Sequence, residues 1–213
     1  MAVIFPRWLN HFPTAVALAA PLVGLGAVLA LYYWFAPAFT DVGYQPDQPV
    51  PFSHRLHAGE LGMDCRYCHN TVEKAALAAI PPAATCMNCH ATVKPDSPKL
   101  APIRESYESG KPVEWVRVHM VPDYAYFDHS VHVAGGVGCV ECHGRIDQME
   151  KVTQIKPLGM SWCLDCHRKP ESRLRPTSQV TNMAWADSTY DPKTDPHRTR
   201  MPEPPEHCSG CHR

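Results

Sequence analysis

Hydrophobic and polar positions are distributed very unevenly along this chain. Residues 15–37, AVALAAPLVGLGAVLALYYWFAP, carry no charge at all. As a helix this run extends about 34 Å, enough for a bilayer hydrocarbon core of roughly 30 Å. Trp8 and Phe12 precede it, and Tyr32, Tyr33, Trp34, Phe35 and Phe39 crowd its far end, as aromatic residues do where a span meets the headgroups. The pattern predicts one transmembrane anchor within residues 1–40. Arg7 before the run and Asp41 after it orient the N-terminus to the cytoplasm by positive-inside counting. A cleaved signal peptide is the competing reading, because Ala36-Pro37-Ala38 resembles a cleavage site. The apolar run, however, exceeds the roughly 7–15 residues of a signal core. Pro21 predicts a kink. The pairs Ala20/Gly24 and Gly26/Ala30 suit close helix packing and are equally the ordinary small-residue content of a span.

Beyond Thr40 no long periodic stretch follows. Residues 41–51 read as a Pro-rich polar linker and 52–213 as an ectodomain. Short helices are predicted at 71–79 and 102–108, where helix formers cluster, and a Val-rich extended segment at 112–122. Little strand is expected, and the Pro-punctuated residues 171–213 predict an irregular, wrapping tail. The ectodomain also repeats itself. Phe52, His54 and His57 of FSHRLH recur 75 residues later as Phe127, His129 and His132 of FDHSVH. Cys65 and Cys86 recur as Cys139 and Cys163, at offsets of 74 and 77. Two units, about 52–100 and 127–170, are thus copies of one design.

Composition narrows the chemistry. Of 213 residues, Lys+Arg number 20 and Asp+Glu 21, a balance that argues against nucleic acid as a partner. The 22 prolines fix φ and remove donors, which leaves little room for extended regular structure. The 13 His and 10 Cys are the informative excess: something besides an apolar core must organise the chain.

All ten cysteines fall into five C-x-x-C-H units: Cys65/Cys68/His69, Cys86/Cys89/His90, Cys139/Cys142/His143, Cys163/Cys166/His167 and Cys208/Cys211/His212. This is the attachment signature of c-type haem. Two thiols reach two vinyl groups on one porphyrin edge, and the next residue turns its imidazole beneath the ring as proximal ligand. Zinc would require no His after every second Cys. A disulfide across two residues closes too small a loop to constrain much, and a thioredoxin-like pair needs one motif in a βαβ setting. The sequence therefore predicts five covalently bound haem c, with short helices and irregular chain packed around them. Covalent haem is attached after export, which places the ectodomain in the periplasm and the anchor in the bacterial inner membrane.

Electron-transfer haems fill both axial positions, so five further ligands are needed. His54, His57, His129 and His132 recur in register as F-x-H-x-x-H, a motif that ends seven or eight residues before a haem motif, which predicts distal ligation. His119 closes the count. Met183, Met201 and His197 are its rivals, above all for the last haem, whose segment has no F-x-H-x-x-H of its own. Met183 beside Trp185 also reads as packing, and His197 as a solvated tail residue.

F-x-H-x-x-H followed by paired C-x-x-C-H motifs resembles the class III multihaem cytochromes, the cytochrome c3 and c7 group, in which both His of that motif ligate different haems. The full layout resembles the pentahaem cytochrome c subunits of alternative complex III. That layout comprises an N-terminal span, the stretch 115–132 (WVRVHMVPDYAYFDHSVH), the following GVGCVECHG and a last C-x-x-C-H-R. The resemblance implies a subunit without catalysis of its own. It would take electrons from quinol through integral-membrane and iron–sulfur subunits, and pass them to a monohaem cytochrome, a blue-copper protein or a terminal oxidase. Two further readings use the same haems. A stand-alone membrane quinol dehydrogenase shares the anchor. A multihaem reductase would need an iron with an open axial position, and the spare histidines suffice to close all five.

Overall fold

The computed structural model describes residues 6–212. Its contacts divide the chain into two units, Met1–Thr40 and Asp41–Arg213. In the first unit a 3-10 turn, Arg7–His11, leads into α1 (Phe12–Phe35), and α2 (Pro37–Thr40) follows. Pro13, at the start of α1, needs no hydrogen-bond partner there. The helix runs through Pro21, and its side chains are exposed. The Arg7–Phe35 segment is long and apolar enough to cross a membrane, with a mean hydropathy of 2.2 over its best window. Phe39 folds back beside Tyr32 and Tyr33, with ring centroids 5.5 and 5.2 Å apart.

The second unit contains α3 (Cys65–Cys68), α4 (Ala83–His90), α5 (Ala101–Ser109), α6 (His129–Ala134), α7 (Cys139–His143), α8 (Met160–Arg168) and α9 (Cys208–Cys211). Between them lie 3-10 turns and irregular chain. Among the described residues no strand forms. Two isolated antiparallel bridges occur, Val137 with Leu174 and Ala125 with His212.

The expected helix at 102–108 is α5. The expected helix at 71–79 is not formed, and that segment is a series of turns. Its backbone groups are engaged elsewhere. The Thr71 hydroxyl donates to Leu77 O and accepts from Ala79 N, while Ala76 O and Ala79 O accept protons from His129 and His69. The extended segment 112–122 has no strand partner. In place of one, the side-chain amide of Gln48 donates to Val116 O at 2.8 Å and accepts from Val116 N at 2.9 Å. Residues 43–48 are tied down further. Gly43 N donates to Gln154 O, Gln154 N to Tyr44 O, and Lys151 pairs with Asp47 at 2.7 Å.

The repeat is visible as geometry. In each unit the first C-x-x-C motif makes a single turn (α3, α7) and the second ends a two-turn helix (α4, α8). The units differ from within their Phe-x-His-x-x-His segments onward. The second unit makes α6, whereas the first makes a wide turn of π-helical hydrogen bonding, Arg55–Glu60. Gly59 explains the difference, because the carbonyl oxygen of Asp147 lies where a Cβ would stand. The wide turn thereby docks on the Ile146–Gln148 turn, and Arg55 N donates to Met149 O while its guanidinium pairs with Glu150 at 2.5 Å.

Buried apolar side chains in this unit are few: Val50, Ile103, Val118, Leu174 and Val180. Large apolar groups such as Leu61, Leu77, Ile80 and Met160 stay exposed. A chain of this length cannot organise itself around so small a core.

Candidate cofactor-binding centre

Most histidines and cysteines of the motifs occupy the interior that apolar residues leave vacant. The ten thiols are unbonded to one another. Burial pushes Cys65 up to about 11, with the nearby Cys139 adding to the effect, and Cys142 up to about 12, with Cys166 and Cys163 adding. Burial likewise raises Cys86 beside Cys68, and Cys163 beside Cys211. These adjacencies set the motifs in a spatial row: 86–90, 65–69, 139–143, 163–167, 208–212. Among the described residues no three His, Cys, Asp or Glu side chains converge as they would around a bare metal ion.

Two of the ten expected attachment thiols depart from this pattern. Cys89 and Cys208 are exposed, whereas the other eight are partly enclosed. Motif membership alone does not distinguish them. The physical reason is position, because they belong to the first and last motifs of the row, each of which has a neighbouring motif on one side only. Cys89 also stands in the last turn of α4, where the chain turns away at once. Its carbonyl accepts from Val93 N at 2.8 Å and from Thr92 N at 3.1 Å, so residues 91–93 curl back on the backbone and leave the thiol uncovered.

The imidazoles are held in one recurrent way. His57, His69, His90, His129, His132, His167 and His212 each place Nδ1 beside a main-chain carbonyl: those of Ser53, Ala79, Val93, Ala76, Asp128, Pro205 and Tyr124. The distances run from 2.6 Å for His132 to 3.2 Å for His212. A carbonyl only accepts, so Nδ1 carries the proton and Nε2 keeps its lone pair free. Phe52 and Phe127 wedge the distal candidates, with ring centroids 4.4 Å from His57 and 4.6 Å from His132.

Three pairs of imidazoles face each other at similar separations. Ring centroids lie 6.2 Å apart for His57 and His90, 6.1 Å for His132 and His167, and 6.4 Å for His129 and His143. Two imidazole nitrogens each about 2 Å from one metal ion put their ring centroids about 6 Å apart. His57–His90 and His132–His167 are equivalents under the repeat, so the repeat carries a pairing and not only a motif. His54 and His69 are electrostatic neighbours. His119 Nε2, His54 Nδ1 and His143 Nδ1 are buried without a hydrogen-bond partner. Burial lowers His143 to about 3 and His54 to about 4, and it lowers His119 and His132 as well. At neutral pH these rings are uncharged, the form that donates to a metal. Unbonded thiols in pairs, opposed imidazoles and a deficient apolar core together fit bound haem.

His119 is placed differently from the other distal candidates. Its ring lies 4.4 Å from that of His143, in edge contact and too near for an ion between them. The ring beside His212 is that of Tyr124, at 5.8 Å. Met183 lines a cavity of about 270 Å³ with Met63, Asp64 and Cys65, at the first motif and not the last. His197 is exposed, and its Nε2 lies 2.7 Å from Ala134 O. Residues that motif reading did not single out complete the centre. Cys139 N donates to Val180 O, Thr181 Oγ1 to Asp64 Oδ2 at 3.0 Å, and Tyr126 N to Cys211 O. Asp64 could have been read as a helix N-cap directly before Cys65, since its carboxylate accepts from Arg66 N at 2.9 Å. Thr181 and Val180 give no such signal.

Sequence comparison bears on the same region. The family described as cytochrome c7 and related cytochrome c matches residues 125–213. This part of the chain is similar to that family. It holds the last three C-x-x-C-H motifs with His129 and His132. A curated relative from Nitratidesulfovibrio vulgaris (strain Hildenborough), the multiheme cytochrome c subunit of a menaquinone reductase, is 38% identical over 128 residues. The alignment covers 59% of this chain and 59% of that protein. The geometric repeat gives the first two motifs the same local arrangement as the third and fourth.

Proposed function

We propose that the chain is a membrane-anchored electron-relay subunit carrying five covalent haem c groups, part of a quinone-linked oxidoreductase of the bacterial inner membrane with its ectodomain in the periplasm. The observation that carries the reading is the set of opposed imidazoles at 6.1–6.4 Å, five of the six rings with Nδ1 on a main-chain carbonyl and Nε2 left free. Haem bound there supplies reversible one-electron transfer between ferric and ferrous iron.

The chain's own residues do the rest. The ten cysteines, the exposed Cys89 and Cys208 included, hold the cofactors as thioethers. His69, His90, His143, His167 and His212 are the proximal ligands, and His54, His57, His129 and His132 the distal ones. His119 belongs to the distal set by count and stands in the His143 cluster. The carbonyls on Nδ1 fix ring orientation and raise ligand basicity. By closing on the group from both sides, His57 with His90, His132 with His167 and His129 with His143 would leave no place for substrate and favour outer-sphere transfer. The apolar helix Arg7–Phe35 anchors the subunit beside integral-membrane and iron–sulfur partners.

The pentahaem layout supports quinol oxidation of the alternative complex III type, with a monohaem cytochrome, blue-copper protein or terminal oxidase as acceptor. The relative's name supports the reverse current, menaquinone reduction. The test is haem reduction in the complex purified intact. We expect a menaquinol analogue to reduce the haems without a soluble donor. Haems that respond only to a reduced periplasmic cytochrome would overturn quinol oxidation in favour of menaquinone reduction. A lone chain that quinol reduces directly would overturn the role as a relay subunit.

A further inference from the structure

The most deeply buried cation of the ectodomain stands at the third motif. Arg175 is 5% exposed. Its Nη2 donates to Glu141 Oε1 at 3.0 Å, its Nη1 to Asn182 O at 3.0 Å, and its guanidinium lies over Trp185, 5.2 Å from the ring centroid. Its Nε–H is buried and finds no acceptor among the described residues. Glu141 sits inside the motif, between Cys139 and Cys142, and its other oxygen lies 3.7 Å from Arg173. The approach is built in. The Arg175 guanidinium occupies the space a Cβ of residue 138 would need, and Gly138 has none.

Burying such a pair is costly, and an apolar pair of similar volume packs as well or better. A free donor on the buried cation adds to that cost. Position supplies the reason to keep it. The third motif stands mid-row, where the two repeat units meet, with Cys139 near Cys65 and Cys142 near Cys163 and Cys166. Fixed charges act strongly in so dry a setting.

We propose that Arg175 and Glu141 form a charge couple that sets the reduction potential at the junction of the two repeat units, Arg175 favouring the reduced state and Glu141 opposing it. They are positioning residues and ligate nothing. The inference rests on the haem-binding reading of the site.

The experiment is an optical redox titration of the purified full-length protein, with haem counted by pyridine haemochrome. Arg175→Gln should lower one midpoint, so that at the parent midpoint the reduced-to-oxidised ratio of that haem falls about tenfold, ~59 mV for one electron. Glu141→Gln, nearly isosteric, should raise the same midpoint. Arg175→Lys should hold it near the parent value. Opposite shifts distinguish electrostatic control from loosened packing, which would move both variants the same way. Should Arg175→Gln fail to fold, the upward shift in Glu141→Gln still decides the matter. Full haem content with unchanged midpoints, or shifts of one sign in both glutamine variants, would overturn this inference alone. Parent protein without covalent haem would overturn the site reading beneath it.

Discussion

Seven imidazoles in the ectodomain give their Nδ1 proton to a main-chain carbonyl, and this small device decides what each ring can do. It fixes the tautomer, points Nε2 inward and removes the rotamer freedom that would otherwise oppose ligation. His132 shows it most tightly, with its carbonyl at 2.6 Å and His167 opposite. His132→Ala is therefore expected to open one axial position while leaving the thioethers intact. One haem per chain should then bind carbon monoxide, and added imidazole should restore the parent spectrum. His132→Met should keep six-coordination and raise that haem's potential, since a thioether favours the ferrous state. Retention of every low-spin signal in the alanine variant would count against His132 as a ligand.

Among the elements, the tail after residue 170 contributes most for its lack of regularity. Val180 holds Cys139, Thr181 holds Asp64 beside Cys65, and Pro205 holds His167. The Asp64 joint is sensitive to acid. The Arg66 guanidinium holds its carboxyl down at about 2, against 3.8 ordinarily. A group depressed by folding stabilises in full above its unfolded value and loses that contribution as pH falls through the folded one. Melting followed at the haem absorbance should thus drop as pH falls from about 4 to about 2, and Asp64→Asn should flatten that limb. The elements differ in how well sequence foretold them. The single-turn motifs, helix 101–109 and the Phe-x-His-x-x-His repeat follow from local spacing. The loop at 71–79 does not, because its carbonyls are taken by His129 and His69, and His129 lies more than fifty residues away. The exposure of Cys89 was equally hidden, since five identical motifs do not say which stand at the ends of the row. Arg175 and Glu141 are separated by 34 residues without a shared motif, so no periodicity announces them.

For the molecule as a whole, the shortage of buried apolar side chains is the governing fact. The high Cys, His and Pro content already implied that something besides an apolar residue core organises the interior. Which imidazole faces which was not legible, since each pairing depends on how distant segments of one repeat unit pack together. Protein made where haem is not attached is expected to lack a cooperative melt and to be digested by protease across residues 52–213. A haem-free ectodomain with a sharp transition would contradict that expectation.

The wrapping tail has a bearing on biogenesis. The strap that fastens the first, third and fourth motifs lies on the C-terminal side of most of what it fastens, so it leaves the ribosome after them. Until then the earlier motifs stand without the contacts that close over them.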